Sequence, residues 1–298
     1  MTLNAFGTKL WHHSERLFKD SVFTGEGGAR SSESVVKCSI QLSYKAILLE
    51  ATNIQLKSKS ALLRSRYNVG ICRPMPALLE LACFDPQAAA LAESWGVTRI
   101  EFCAEALEGG TSPSAEDVDR VRGSYSGSLG VMLRIRGGPF TYSDQEWSAM
   151  RNEVPRLANQ GVDFIVVGAL NKTNRLDERL QELSSLAASA GLKRVMHRAF
   201  DATADPLEAM EQAVEWGFDR ILTGLGATKI ETLQALKQAA AGRIEVLAGG
   251  GIRAHNAQRY LEAGFNQIHS AALLDYRAEP PLPDRTETLA MLDLCLRY

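Results

Sequence analysis

The sequence predicts a (β/α)8 barrel over residues 75–298, preceded by an N-terminal extension of different character. Three observations lead there. A helical stretch, a glycine and a short apolar run recur along the chain. Eight such runs fit in about 220 residues, the arithmetic of eight βα units. No G-x-G-x-x-G follows the first run, which makes a doubly wound open sheet the lesser alternative.

The elements follow in order. The first strand is read at 78–83, just after Met75-Pro76. Six more strands come after glycines: Gly96 leads into Thr98-Arg99-Ile100-Glu101-Phe102, Gly161 into Phe164-Ile165-Val166-Val167, and Gly191 into Arg194-Val195-Met196-His197. Gly217, Gly242 and Gly264 lead into Arg220-Ile221-Leu222-Thr223, Glu245-Val246-Leu247 and Gln267-Ile268-His269. Leu129–Arg134 completes the eight. Glycine accepts the left-handed conformation that ends a helix, and a short apolar run after it suits a parallel strand buried on both faces. Helices are expected at 144–159, 177–190, 206–216, 228–240 and 254–263. The 206–216 helix opens with Asp205 as cap and Pro206 in the first turn.

Composition sets the outer limits. The chain has 298 residues, 45% hydrophobic and 23% charged, with net charge −2. That excludes a disordered chain and a small disulfide scaffold. No apolar run approaches the ~20 residues of a membrane helix. No global basicity points to nucleic acid. The charge is uneven: residues 1–74 carry 11 Lys/Arg, 5 Asp/Glu and ten Ser, so the remainder is acidic. This first segment reads as a targeting peptide, a flexible tail, or upstream sequence from an early start codon, with the last two favoured. Residues 45–56 could form a short helix or strand. The five cysteines include no CxxC pair, which fits reduced thiols and a cytoplasmic location.

A barrel places its active face at the C-terminal ends of the strands. The polar residues there are Glu80, Cys83, Glu101, Cys103, Arg134, Arg136, His197, Arg198, Asp201, Thr223, His269 and Ser270. Charges at such a rim need partners. Glu101 with Arg134, and Arg198 with Asp201 or Glu80, are the expected pairs. One functional reading makes Glu80, Glu101, Arg134, His197, Arg198 and Asp201 the catalytic set of an enzyme acting on a small anion. Arg136, Gly249, Gly250, Gly251 and Ser270 would hold the anion, and Glu101 or His197 would be the acid/base. A divalent metal at Glu80, Glu101 and His197 stays open. Tyr142 and Ser143 are ligand contacts or a helix cap. The plain alternative is a polar network that fills the mouth without chemistry. Cys83 and Cys103 end neighbouring strands, about 4.8 Å apart, where two thiolates could take a soft metal such as Cu(I). Two buried apolar thiols are the commoner outcome.

Several of these stretches together carry a resemblance. They are Arg99-Ile100-Glu101-Phe102-Cys103 with Glu108-Gly109-Gly110, Arg134-Ile135-Arg136-Gly137-Gly138 with Phe140, Tyr142, Ser143 and Asp144, and His197-Arg198-Ala199-Phe200-Asp201. Arg220-Ile221-Leu222-Thr223, Gly249-Gly250-Gly251 and His269-Ser270-Ala271 continue the series. From 75 to 298 the chain resembles the CutC copper homeostasis family. The resemblance implies a (β/α)8 barrel, a cytosolic protein that binds Cu(I) and aids copper tolerance or trafficking, and often a homo-oligomer. It implies Cys103 as one copper ligand. The family's other cysteine lies where this chain has Ala82, and Cys83 falls one place later. Side chains alternate along a strand, so that shift turns the thiol to the opposite side. Two more departures are Pro139, where the family has Asp, and a short Pro-rich segment at 273–285.

Overall fold

The computed structural model describes residues 76–225 and 230–298. The extension at 1–74, including 45–56, lies outside the described residues.

Eight parallel strands close into a barrel in sequential order. They are β1 (Leu78–Cys83), β2 (Arg99–Phe102), β3 (Ser128–Met132), β4 (Phe164–Val167), β5 (Lys193–Met196), β6 (Arg220–Thr223), β7 (Glu245–Ala248) and β8 (Gln267–Ser270). Among the described residues eight helices surround them: α1 (Pro86–Ser94), α2 (Ala115–Ser124), α3 (Asp144–Asn159), α4 (Arg179–Ser189), α5 (Pro206–Glu215), α6 (Ile230–Ala240), α7 (Ala254–Glu262) and α8 (Arg285–Arg297). Gly96, Gly161, Gly191, Gly217, Gly242 and Gly264 all take positive φ after a helix, from +71° to +85°, which is the role the repeat predicted.

Local signals fix the helix starts. Asp85 caps α1 by accepting from Gln87 N at 2.7 Å, with Pro86 next. Ser143 and Glu146 form a reciprocal capping box at α3, so Ser143 is a cap. Asp205 accepts from Leu207 N and Glu208 N ahead of Pro206.

Strand parity sorts the core into two layers. Leu79, Leu81, Cys83, Ile100, Phe102, Leu129, Val131, Ile165 and Val167 face the helices in one large apolar cluster. Cys103, Met132, Phe164, Val166, Val195, Leu222 and Leu247 form a smaller cluster inside the barrel. The close of the barrel is tight at Gly130: a Cβ there would lie 2.0 Å from the Phe164 ring. The last helix returns to the start, where Ala77 N donates to Cys295 O at 3.0 Å.

Candidate active site at the barrel mouth

Inward positions on four strands carry titratable side chains: Glu80 on β1, Arg99 and Glu101 on β2, Arg220 on β6 and His269 on β8. Glu80 is wholly buried. Its Oε2 lies 2.7 Å from Arg99 Nε and 3.2 Å from Arg220 Nη1. Its Oε1 accepts from His269 Nδ1 at 2.8 Å. Register explains the meeting, since Glu80 pairs with Arg99 on β2 and with His269 on β8. Arg220 also holds Glu245 at 2.9 Å, and Gln267 bonds both Arg99 and Glu245. Burial alone would raise the Glu80 pKa. Arg99, His269 and Arg220 outweigh it and hold the carboxyl at about 2. Glu80 is therefore a permanent anion that orients His269.

One step toward the mouth, Glu101 faces the other side of the imidazole. Its Oε2 lies 3.5 Å from His269 Nε2 and has no hydrogen-bond partner among the described residues. The Cys103 thiol donates to Glu101 Oε1 at 3.5 Å. Burial raises the Glu101 pKa, partly offset by His269. Burial pushes His269 down, but the carboxylates of Glu101 and Glu80 overcome it and leave the imidazole more basic than usual. Both groups are shifted toward holding a proton, and the 3.5 Å gap between them is short enough for one to pass.

A cavity of about 440 Å³ opens above this pair. Glu101, Cys103, Arg134, His197, Arg198, Asp201, Gly250, Gly251, Arg253, His269, Ser270 and Tyr276 contribute to its wall. Most of the predicted rim residues are thus brought together, with several in roles other than those expected. Arg134 does not pair with Glu101. Its Nη1 donates to Glu108 O and Gly110 O, and its Nη2 to Gly138 O, at 2.7, 2.9 and 3.0 Å. It pins the loops after β2 and β3, and stacks on Phe140 at 5.0 Å. Arg136 is outside the cavity wall. It pairs with Glu146 at 2.5 Å and donates to the carbonyls of Gly137, Pro139 and Thr141. Its guanidinium is spent on the loop, which removes it from the anion-binding set.

Asp201 accepts from Thr223 Oγ1 at 2.6 Å and Gly224 N at 2.9 Å, and holds Arg198 at 3.2 Å. Of the expected pairs, Arg198–Asp201 forms, while Glu80 turns inward to Arg99 and Arg220. Ser270 Oγ donates to Ile252 O and accepts from Arg253, tying β8 to the loop after β7. Gly250 passes so close to Gly224 that a Cβ would lie 2.7 Å from its Cα. Gly249 lies against Leu222.

The two thiols part company. Cys103 lines the cavity. Cys83 packs among the helix-facing residues, its thiol 3.8 Å from Leu81 O. Burial raises both thiols far above the usual range, and the Glu101 charge adds to it. The donor set does not fit a two-thiolate Cu(I) site, because parity sends the two sulfurs to opposite faces of the sheet. The acid and imidazole groups that do converge are Glu80, Glu101 and His269, with ligand atoms within 4.8 Å of one another. The histidine of that cluster is His269, not His197. Its donors are hard oxygens and a nitrogen, and two guanidiniums already neutralise Glu80.

Sequence reasoning missed Arg99, Arg220, Glu245 and Gln267. Parity was the available signal, since Arg99, Glu101 and Cys103 occupy alternate positions, as do Gln267 and His269.

The chain is a closed parallel (β/α)8 barrel with a buried acid–imidazole pair under a cavity at its mouth. The chain belongs to the CutC family, which it matches over residues 77–274. It is 40% identical over 200 residues to the mouse protein named copper homeostasis protein cutC homolog, covering 65% of this chain and 73% of that one. The human homolog of the same name is 38% identical over 200 residues, with the same two coverages. A solved CutC structure from Streptococcus agalactiae is 30% identical with TM-score 0.60, covering 65% of this chain and 98% of that one.

Proposed function

We propose that the mouth binds a small organic anion and performs acid–base chemistry on it, with Glu101 and His269 exchanging the proton. One observation carries this reading. Glu101 Oε2 is buried, without a hydrogen-bond partner, 3.5 Å from His269 Nε2 and beside the cavity. An unpaired buried carboxylate oxygen is costly, and a ligand proton would satisfy it. Arg198, 62% exposed at the rim, supplies positive charge for the anion. Gly250 and Gly251 let the backbone approach closely.

The test is a binding screen of small carboxylates and phosphorylated compounds, followed by solvent-deuterium incorporation into those that bind. Exchange should fall by about 10²–10⁴-fold in Glu101→Gln with binding retained. Absence of any ligand, or exchange unchanged in that variant, would refute the reading.

A second reading rests on the relatives' names and on Cys103 in the cavity wall. There the protein serves copper homeostasis, and Cys103, not the Cys83 pair, takes Cu(I). A Cu(I) competition titration separates the two readings. One-to-one binding lost in Cys103→Ser and kept in Cys83→Ser and Glu101→Gln supports copper. Binding no tighter than that of a nonspecific thiol refutes it. A cytoplasmic location is part of both readings, supported by the free thiols of Cys83, Cys103 and Cys295 among the described residues.

A further inference from the structure

His197 was read from the sequence as a candidate acid/base, yet its surroundings prevent that use. Nδ1 accepts the Ala199 N–H at 3.0 Å, so Nδ1 carries a lone pair and the ring proton resides on Nε2. Nε2 is buried and has no hydrogen-bond partner among the described residues. The residue is only 3% exposed, yet it lines the cavity.

The ring is also clamped. A Cβ on Gly168 would lie 2.6 Å from Nδ1 and 2.7 Å from Cε1, so only glycine lets the imidazole sit there. Phe140 covers it at a centroid distance of 5.0 Å, and the Arg134 guanidinium lies over the Phe140 ring. A second proton on Nδ1 would oppose the Ala199 N–H directly.

We infer that His197 is an oxygen-binding residue of the mouth, a neutral imidazole whose Nε2–H is held in one tautomer for a carbonyl or carboxylate oxygen of the ligand. The inference rests on the small-anion reading above and narrows it to ligands that carry such an oxygen. Burial, then the charges of Arg134 and Arg198, hold the imidazole pKa at about 3. The ring therefore keeps one proton across the working pH range. A neutral donor can stabilise negative charge on oxygen without giving its proton away. His269, flanked by Glu80 and Glu101, is the imidazole that exchanges protons. The two histidines divide the work.

The test uses the full chain labelled with ¹⁵N-histidine, with ring signals assigned by comparison with His197→Gln. His197 should show an unprotonated Nδ1 and a protonated Nε2 from pH 5 to pH 8. Titration in that range, or the opposite tautomer, would overturn the inference whatever the ligand. Pyruvate and inorganic phosphate are then added as probes. Pyruvate should shift the Nε2–H signal. His197→Phe, which lacks the donor, should bind pyruvate about 10- to 100-fold more weakly, as expected for one hydrogen bond to a charged group. His197→Gln places an amide N–H near the Nε2 position and should restore most of the affinity. Pyruvate binding with Nε2–H unmoved, or equal binding by His197→Phe, overturns this inference alone. A wild-type protein that binds neither probe, nor any compound of the carboxylate and phosphate screen, removes the small-anion reading and the inference with it.

Discussion

Glu80→Gln tests the buried charge cluster that positions His269. The substitution keeps the shape of the side chain and removes the charge facing Arg99 at 2.7 Å and Arg220 at 3.2 Å. Breaking a buried ion pair from one side costs about 3–5 kcal/mol, because the remaining charges stay buried without compensation. The titration of Glu80 gives a separate measure. Its pKa falls from 4.5 to about 2 on folding. At about 1.36 kcal/mol per pH unit that is roughly 3 kcal/mol. The two routes agree. For a domain of this size the expected drop in Tm is roughly 6–20 °C. The sign follows from the lowered pKa. The stabilisation is fully present above about pH 4.5 and is lost as pH falls toward 2. Urea denaturation of both proteins, repeated at several pH values, measures it without adding ionic strength. The gap should be widest at neutral pH and should narrow below 4.5. A difference under about 1 kcal/mol at pH 7, or a gap that does not narrow in acid, would refute the assignment of Glu80 as the anion of the cluster.

Three other outcomes are expected. Gly130→Ala forces a methyl group against Phe164 and should lower stability by about 1–3 kcal/mol in a denaturation curve. Ser143→Ala removes the side chain that accepts Glu146 N at 3.2 Å and should cost about 0.5–2 kcal/mol by the same measurement. His269 gains basicity on folding despite its burial, through Glu101 and Glu80. Its contribution is therefore present below about pH 6.5 and lost as pH rises through its folded value. Wild-type stability should fall across that window more steeply than that of His269→Gln, and parallel pH profiles would refute it.

The sequence by itself determined the barrel. A glycine of positive φ after six of the eight described helices and a short apolar run after it are local facts, and eight such runs leave little topological freedom. The predicted helices 144–159 and 254–263 reappear as Asp144–Asn159 and Ala254–Glu262. Strand parity also fixed the side to which Cys83 turns. Tertiary structure alone decided which charges meet. Glu80 and His269 are 189 positions apart and become neighbours only because β8 closes against β1. Arg220 reaches Glu80 across the barrel interior from β6, a distance no local pattern encodes. The roles of Arg134 and Arg136 were likewise set by loop carbonyls whose positions depend on the path of the chain after β2 and β3. Residue type announced a polar mouth. Closure of the sheet brought Glu101 and His269 together, because parity aims both inward at adjoining heights on nearby strands.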